Sequence, residues 1–332
     1  MARLQVPMKD NQRFNSTTPL HELGDFHTPS EKFFVVHHLG IPKMDAAPWR
    51  LLVDGLVARS LDLGLADLAA LPQVQVEAFH ECAGSPLRPT VAVRRVGNVV
   101  WGGVPLKAVL QLAGVGHGAE FVWARGADSG VYPPTGQTTD SYLKDLPLAK
   151  ALSDEVLLAT TLNGAPLDEL HGAPVRLVVP GFYGTNSVKW LTELRLEASR
   201  AAGYFTTALY NDVVVENGVE SRRPVWEVAP QSVIVGPAAG SRIAAAPCAV
   251  WGWAWSMAPV KAVEISVDGG HQWRNATVDA RKGFCWQRFT FDWTPQTNGP
   301  QQLACRATDE NGNVQPDSGA RNEVLRFQVT VE

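Results

Sequence analysis

The sequence predicts an α+β domain over residues 1–225, followed by an all-β sandwich of immunoglobulin type over residues 226–332. Three observations carry that reading. Apolar residues recur at helical spacing in parts of the first region, interleaved with short strand-like runs. From about residue 240 the helical period disappears and apolar residues alternate one in two, the period of a half-buried strand. Finally, 332 residues, 45% hydrophobic and 19% charged, suffice for two cores and are too apolar for a disordered chain.

In the first region "WRLLVDG" (49–55) reads as a strand and "SLDLGLADLAAL" (60–71) as a short helix after it. "VPLKAVLQLAGV" (104–115) sets Val104, Leu106, Val109, Leu110 and Leu112 at helical spacing, with Gly114 as the stop. "APVRLVVPG" (173–181) and "VKWLTELRLEA" (188–198) are strands bounded by Pro, Gly and polar residues. Such irregular order fits α+β better than a repeating βαβ unit. In the second region Val263, Ile265 and Val267 alternate with polar residues, and Asp268-Gly269-Gly270 predicts a hairpin. "RFTFDW" (288–293), "QLACRATD" (302–309) and "EVLRFQVTV" (323–331) continue the alternation, with "DENGN" (309–313) as a turn. Short alternating strands with polar turns are the pattern of an immunoglobulin-like sandwich. Trp251, Trp253 and Trp255 share one strand face, which points to core packing or a subunit interface.

A net charge of −4 gives no electrostatic case for nucleic acid or a membrane surface, so any bound anion needs a local cluster of cations. No run approaches the roughly 18 apolar residues of a membrane span. "MARLQVPMKDNQRFNSTTPL" (1–20) shows neither an apolar leader core nor twin arginines. The expected location is the cytoplasm, or the periplasm if a leader has been removed. The cysteines at 82, 248, 285 and 305 lack CxxC spacing, and a reducing compartment argues against disulfides. Three of them read as small buried hydrophobes.

Cys82 differs. It stands in "HECAGSPLRP" (80–89), where Gly84 permits close backbone approach and Arg88, Arg94 and Arg95 follow. Thiolate is the reactive and metal-binding form, and N–H groups or cations lower the thiol pKa. Three chemistries could use it: a nucleophile with a His partner, a zinc ligand, or a ligand to a softer redox metal. His80 shares its face if the segment is extended, but no third or fourth zinc ligand stands nearby. The plain alternative is a buried inert thiol. The adjacent His37 and His38 point oppositely in an extended segment, which predicts one surface and one satisfied core histidine. "GFYGTNSVKW" (181–190) offers two glycines and the donors Thr185, Asn186, Ser187 and Lys189, a composition able to cradle phosphate.

Taken together, "CAGS" at Cys82, "HGAPVRLVVPG" (171–181) and "SVKWL" (187–191) resemble, in order, the core motifs of the sulfite oxidase family of molybdenum enzymes. "SVDGGHQW" (266–273) and "ACRATDENGNVQP" (304–316) resemble that family's C-terminal dimerisation domain, so the likeness runs from about Phe33 to the end. The resemblance implies a molybdenum–molybdopterin cofactor with Cys82 as its sole protein ligand. It implies further that His38, His171 and Arg176 contact the pterin or its phosphate, and that Ser187 and Lys189 hold the phosphate end. By the same resemblance Tyr210 lies near the metal's equatorial oxygen, while Trp101 and Arg326 border the substrate pocket. Two departures stand out: Val36 replaces a pocket arginine, and Ser85-Pro86-Leu87 replaces Asn-Arg-Arg, with Arg88 one place beyond.

The implied reaction is two-electron oxygen-atom transfer, sulfite to sulfate, with Arg326 and Arg88 neutralising the oxyanion. No haem-attachment CxxCH occurs, so the expectation is no haem, and electrons pass to an external acceptor such as a cytochrome. The C-terminal domain implies a homodimer. Rival readings are reduction of an S-oxide or N-oxide at the same centre, a cofactor-free immunoglobulin-like binding protein, and a zinc or cysteine hydrolase.

Overall fold

The computed structural model describes residues 8–9, 15–45, 47–85 and 90–332. They form two compact units whose segments interleave along the chain. One gathers Met8–Lys9, Asn15, Val35–Val76 and Val100–Trp226; the other gathers Ser16–Phe34, Glu77–Val99 and Glu227–Glu332. Cys82 and Arg326 therefore belong to the second unit, and the other described candidates belong to the first. Arg88 lies outside the described residues.

The chain is mostly β, with three short α-helices among the described residues, Leu65–Ala69, Leu106–Ala113 and Leu148–Ala151. The segment expected as one helix over 60–71 divides, because Leu61 and Leu63 alternate and pair as a strand with Leu51–Gly55. Helix Leu65–Ala69 then starts at Gly64, whose N–H donates to the Asp67 carboxylate at 2.8 Å. Helix Leu106–Ala113 buries Leu106, Val109, Leu110 and Ala113, and ends at Gly114 with φ 72°.

In the first unit a five-stranded sheet runs Leu143–Pro147, Phe121–Gly126, Leu191–Glu197, Leu51–Gly55, Leu61–Leu63. Leu191–Glu197 pairs parallel to Leu51–Gly55, and the other neighbours are antiparallel. Elsewhere Leu157–Leu162 pairs on one side with Arg176–Val178 (Ala159 opposite Arg176) and on the other with the end of Val96–Pro105 (Leu162 opposite Trp101). That central strand sets Arg176 and Trp101 on its two flanks.

In the second unit Thr18–Pro19 and Val93–Arg94 pair as a two-stranded sheet, and residues 227–332 form two larger sheets. One runs Gln231–Gly236, Cys248–Trp255, Gln287–Trp293, Thr277–Val278; the other runs Arg242–Ile243, Arg326–Val331, Gly299–Asp309, Val260–Ser266, Arg274–Asn275. Val250, Ala254 and Phe289 from the first pack with Val263, Ile265, Leu303, Cys305 and Val329 from the second in one core. Each Val, Ile, Leu or Phe among them contributes about 1.5–3 kcal/mol on burial. All four cysteines are free thiols.

The three alternating tryptophans occupy the opposite face of their strand. Trp253 stacks on Trp286 with centroids 4.7 Å apart, and Trp255 meets the same ring at 6.3 Å. Residues 16–34 strap this face: Leu23 O accepts the Trp253 indole N–H at 2.6 Å, and Phe26 O accepts that of Trp286 at 2.9 Å. Trp253 and Trp255 are thus core residues. Trp251 remains half-buried, with the Arg288 guanidinium 4.6 Å from its ring.

Candidate active site

Arg176 is the node of the first unit. Its Nη1 donates to His171 O at 3.0 Å and its Nη2 to Ser187 O at 3.2 Å, while the guanidinium lies 4.8 Å from the Trp101 ring centroid. One planar cation thereby ties together three of the residues expected from sequence. Burial pulls its pKa down to about 9, so it stays charged at neutral pH. His171 Nδ1 faces both Asp168 oxygens at 2.9 Å, which makes that nitrogen the donor. Burial nonetheless pushes the His171 pKa down, keeping the ring neutral. Gly172 has φ 102°, and a Cβ there would stand 2.9 Å from Lys189 Cβ; glycine alone lets these two loops meet.

Ser187 Oγ accepts the Val179 N–H at 3.1 Å. Lys189 Nζ donates to Leu170 O at 2.9 Å and lies 4.2 Å from the Trp190 centroid. Burial, with Arg176 nearby, pulls the Lys189 pKa down. Burial pushes Asp128 up, against the pull of Lys189. His37 is buried with no hydrogen-bond partner at either ring nitrogen, and Asn186 Oδ1 is equally unmet. Burial and Lys189 drive the His37 pKa down to about 4, so it is a neutral imidazole. The expected pairing of one surface and one satisfied core histidine is corrected here: His37 is buried and unsatisfied. His38 is half-buried, hydrogen-bonds through Nε2 to the Tyr210 hydroxyl and stacks on Phe205 at 5.4 Å. Tyr142 joins the two groups, lying 5.9 Å from His38 and bonding Thr185 through its hydroxyl at 2.7 Å.

In the second unit Cys82 begins a turn directly after the strand Val74–Glu81. Its N–H donates to Arg95 O at 2.9 Å, and the Gly84 N–H approaches its Sγ at 3.4 Å. Arg95 Nη1 reaches Gly84 O and Arg321 Nη1 reaches Ala83 O, both at 3.3 Å, so two guanidinium groups brace the turn. Burial pushes the thiol pKa up, opposed by the Gly84 N–H and Arg95. A metal ion would compete with that proton for the sulfur. Among the described residues no three His, Cys, Asp or Glu side chains converge to hold a metal ion, which leaves a zinc centre without ligands. Arg326 is engaged elsewhere, donating to Gly269 O at 3.0 Å and pairing with the Asp317 carboxylate.

Sequence reasoning named Arg95 as one of the cations after Cys82 but missed Asp168, Asp128 and Arg321 as site residues. Only Asp168 carried a local signal, a carboxylate three residues before His171.

A family model described as an oxidoreductase molybdopterin binding domain matches residues 38–205, and one described as a Mo-co oxidoreductase dimerisation domain matches residues 222–327. Sulfite oxidase of Gallus gallus is 33% identical over 336 residues, 92% of this chain and 72% of that protein. The chain belongs to the sulfite oxidase family of molybdopterin enzymes. Mitochondrial sulfite oxidase of Homo sapiens is 32% identical over 345 residues, 95% of this chain and 62% of that longer protein. Among solved structures, sulfane dehydrogenase SoxCD from Paracoccus pantotrophus superposes with a TM-score of 0.82 at 28% identity, over 97% of this chain and 86% of that one.

The residues present fit the family's cofactor. A buried neutral imidazole with both nitrogens unmet costs about 1–3 kcal/mol, a deficit that a bound polar group relieves. Arg176 and Lys189 supply the cations an anionic group requires, and Ser187 keeps its hydroxyl hydrogen to donate.

Proposed function

We propose that this sulfite oxidase family member oxidises sulfite to sulfate and passes the electrons to an external acceptor such as a cytochrome. The observation that carries this is the Arg176 node, which joins His171, Ser187 and Trp101 in a buried cationic network. When bound, the molybdenum cofactor supplies two-electron oxygen-atom transfer. By the family resemblance Cys82 would provide the thiolate ligand, and Arg176, His171, Ser187 and Lys189 would hold the organic part. Tyr210 and His38 share a proton between the Tyr210 hydroxyl and His38 Nε2. Arg95 and Arg321 give the cysteine turn the positive charge that a dianionic substrate requires. Arg326, paired with Asp317, is the further cation that the family resemblance assigns to the substrate.

We propose in addition that the mixed first region is the cofactor-binding α+β domain, and that the all-β region is an immunoglobulin-like sandwich forming a homodimer. Two sheets sharing one core and the matched dimerisation model support this. A monomer by light scattering at micromolar concentration would remove the dimer.

The likeness to a sulfane dehydrogenase favours a second substrate reading, a low-valent sulfur chain. Steady-state oxidation of sulfite and of thiosulfate by the molybdenum-loaded protein, with ferricyanide or cytochrome c as acceptor, decides between them. The expected result is a sulfite kcat/KM at least tenfold higher. No turnover of either compound by fully loaded protein overturns the proposal.

A further inference from the structure

Lys144 lies in the strand Leu143–Pro147 and is 1% exposed. A buried ammonium is costly unless it is paired and fully hydrogen-bonded. Here Nζ donates to a single acceptor, Phe205 O at 3.1 Å, and stands 5.2 Å from the centroid of the Tyr210 ring. The adjacent Asp145 is no partner: its carboxylate takes Arg200 Nε and Nη2 at 2.8 and 2.9 Å. The charges facing Lys144 are therefore that carboxylate and that guanidinium, one attracting and one repelling. Burial, the larger influence, pulls the Lys144 pKa down to about 8. The fold keeps a cation in a costly place, and no carboxylate lies within ion-pair distance of it among the described residues.

What the cation does face is the tyrosine whose hydroxyl hydrogen-bonds to His38 Nε2. Around that pair Phe205 stacks on His38, and Tyr132 meets the His38 ring edge-on at 5.2 Å. Neither of these two rings carries charge, and Lys144 is a cation packed against the pair. A positive charge over a phenol lowers the proton affinity of its oxygen and strengthens its O–H as a donor. Hydroxyl and imidazole then behave as one proton-sharing unit.

We infer that Lys144 is a positioning residue that sets the proton affinity of the Tyr210–His38 pair. While Lys144 is charged, the shared proton is biased from Tyr210 Oη toward His38 Nε2; when it is neutral, the proton returns. The inference rests on the proposed function only in placing this pair in the active site.

The test is an ultraviolet titration of tyrosinate in the holoprotein. The chain has five tyrosines, so subtracting the Tyr210→Phe spectrum isolates one of them. Lys144→Met should raise the pH at which Tyr210 ionises by about one unit, and Lys144→Arg should restore it. Equal ionisation in wild type and Lys144→Met overturns the inference. Stability gives a second readout, of the cost of the buried charge itself. The folded value of about 8 lies below the ordinary 10.5, so the unfolded chain binds the extra proton between them, and wild-type stability rises with pH across that window. Lys144→Met should therefore melt above wild type at neutral pH; a lower melting temperature or failure to fold counts against the inference. Lys144→Arg is the independent arm, because its permanent charge should abolish the change in kcat as pH rises through about 8. Protein that shows the tyrosinate shift yet oxidises nothing would sink the proposed function and leave this inference standing.

Discussion

The grip around Arg176 and the core of the all-β region are both buried, but opposite means hold them together. In the sandwich, Val250, Phe289, Leu303 and Val329 pack apolar on apolar with nothing left to satisfy. In the grip, a guanidinium, an ammonium and two histidines share a small volume, and His37 has neither nitrogen paired. The first arrangement maximises stability, while the second gives some of it up to keep groups ready for a ligand. The cysteine turn is a third case, braced by two cations on backbone oxygens so that one thiol is presented from a short loop.

The largest effect should come from that thiol. Cys82→Ala is expected to reduce molybdenum from about one per chain to background and to abolish sulfite oxidation, with melting little changed. Full metal retention by elemental analysis would break the assignment. In the sandwich the cost should appear as stability instead. Trp286→Ala removes the ring stacked on Trp253 and should destabilise by about 3–5 kcal/mol, read by denaturant unfolding, while the folded fraction keeps its cofactor.

The same contrast decides how much was legible in the sequence. Strands such as Val260–Ser266 and Gln287–Trp293 announce themselves because one face is wet and the other dry, so alternation records the fold directly. Helix Leu106–Ala113 is legible for the same reason at a different period. The split of 60–71 was not, because pairing with Leu51–Gly55 overrides local helical preference. The grip residues were legible as motifs, since His171, Arg176 and Ser187 lie within seventeen residues in one stretch. Arg321 and Cys82 are 239 positions apart in sequence, and no local pattern encodes the hydrogen bond to Ala83 that places that arginine at the cysteine turn. His37 was misjudged because sequence shows a histidine's neighbours along the chain, not whether its nitrogens find partners.

Two substitutions sharpen the comparison at intermediate magnitude. Arg176→Lys keeps the charge but cannot reach the His171 and Ser187 carbonyls together, so the cofactor should dissociate about tenfold or more faster. Equal cofactor retention in dialysis would show that charge alone suffices. Val36→Arg adds a cation at a half-buried position next to His37. A charge-assisted hydrogen bond worth about 1.5–3 kcal/mol would lower the sulfite KM roughly tenfold to a hundredfold, with kcat little changed.

The smallest effect tests whether the grip gains stability anywhere. Asp168 is the candidate, because burial raises its affinity for a proton but hydrogen bonds from the His171 ring and N–H outweigh it, and its pKa falls below the usual 3.8. A depressed carboxyl contributes stability that is fully present above its unfolded value and is lost as pH falls through the folded one. Its side chain is 58% exposed, so solvent screens the pair and the contribution should be about 1 kcal/mol or less. Asp168→Asn should therefore melt slightly below wild type at neutral pH, with the gap closing as the solution is acidified below about pH 4. A gap that persists unchanged in acid would mean that Asp168 acts through hydrogen-bond geometry at the His171 ring and not through its charge.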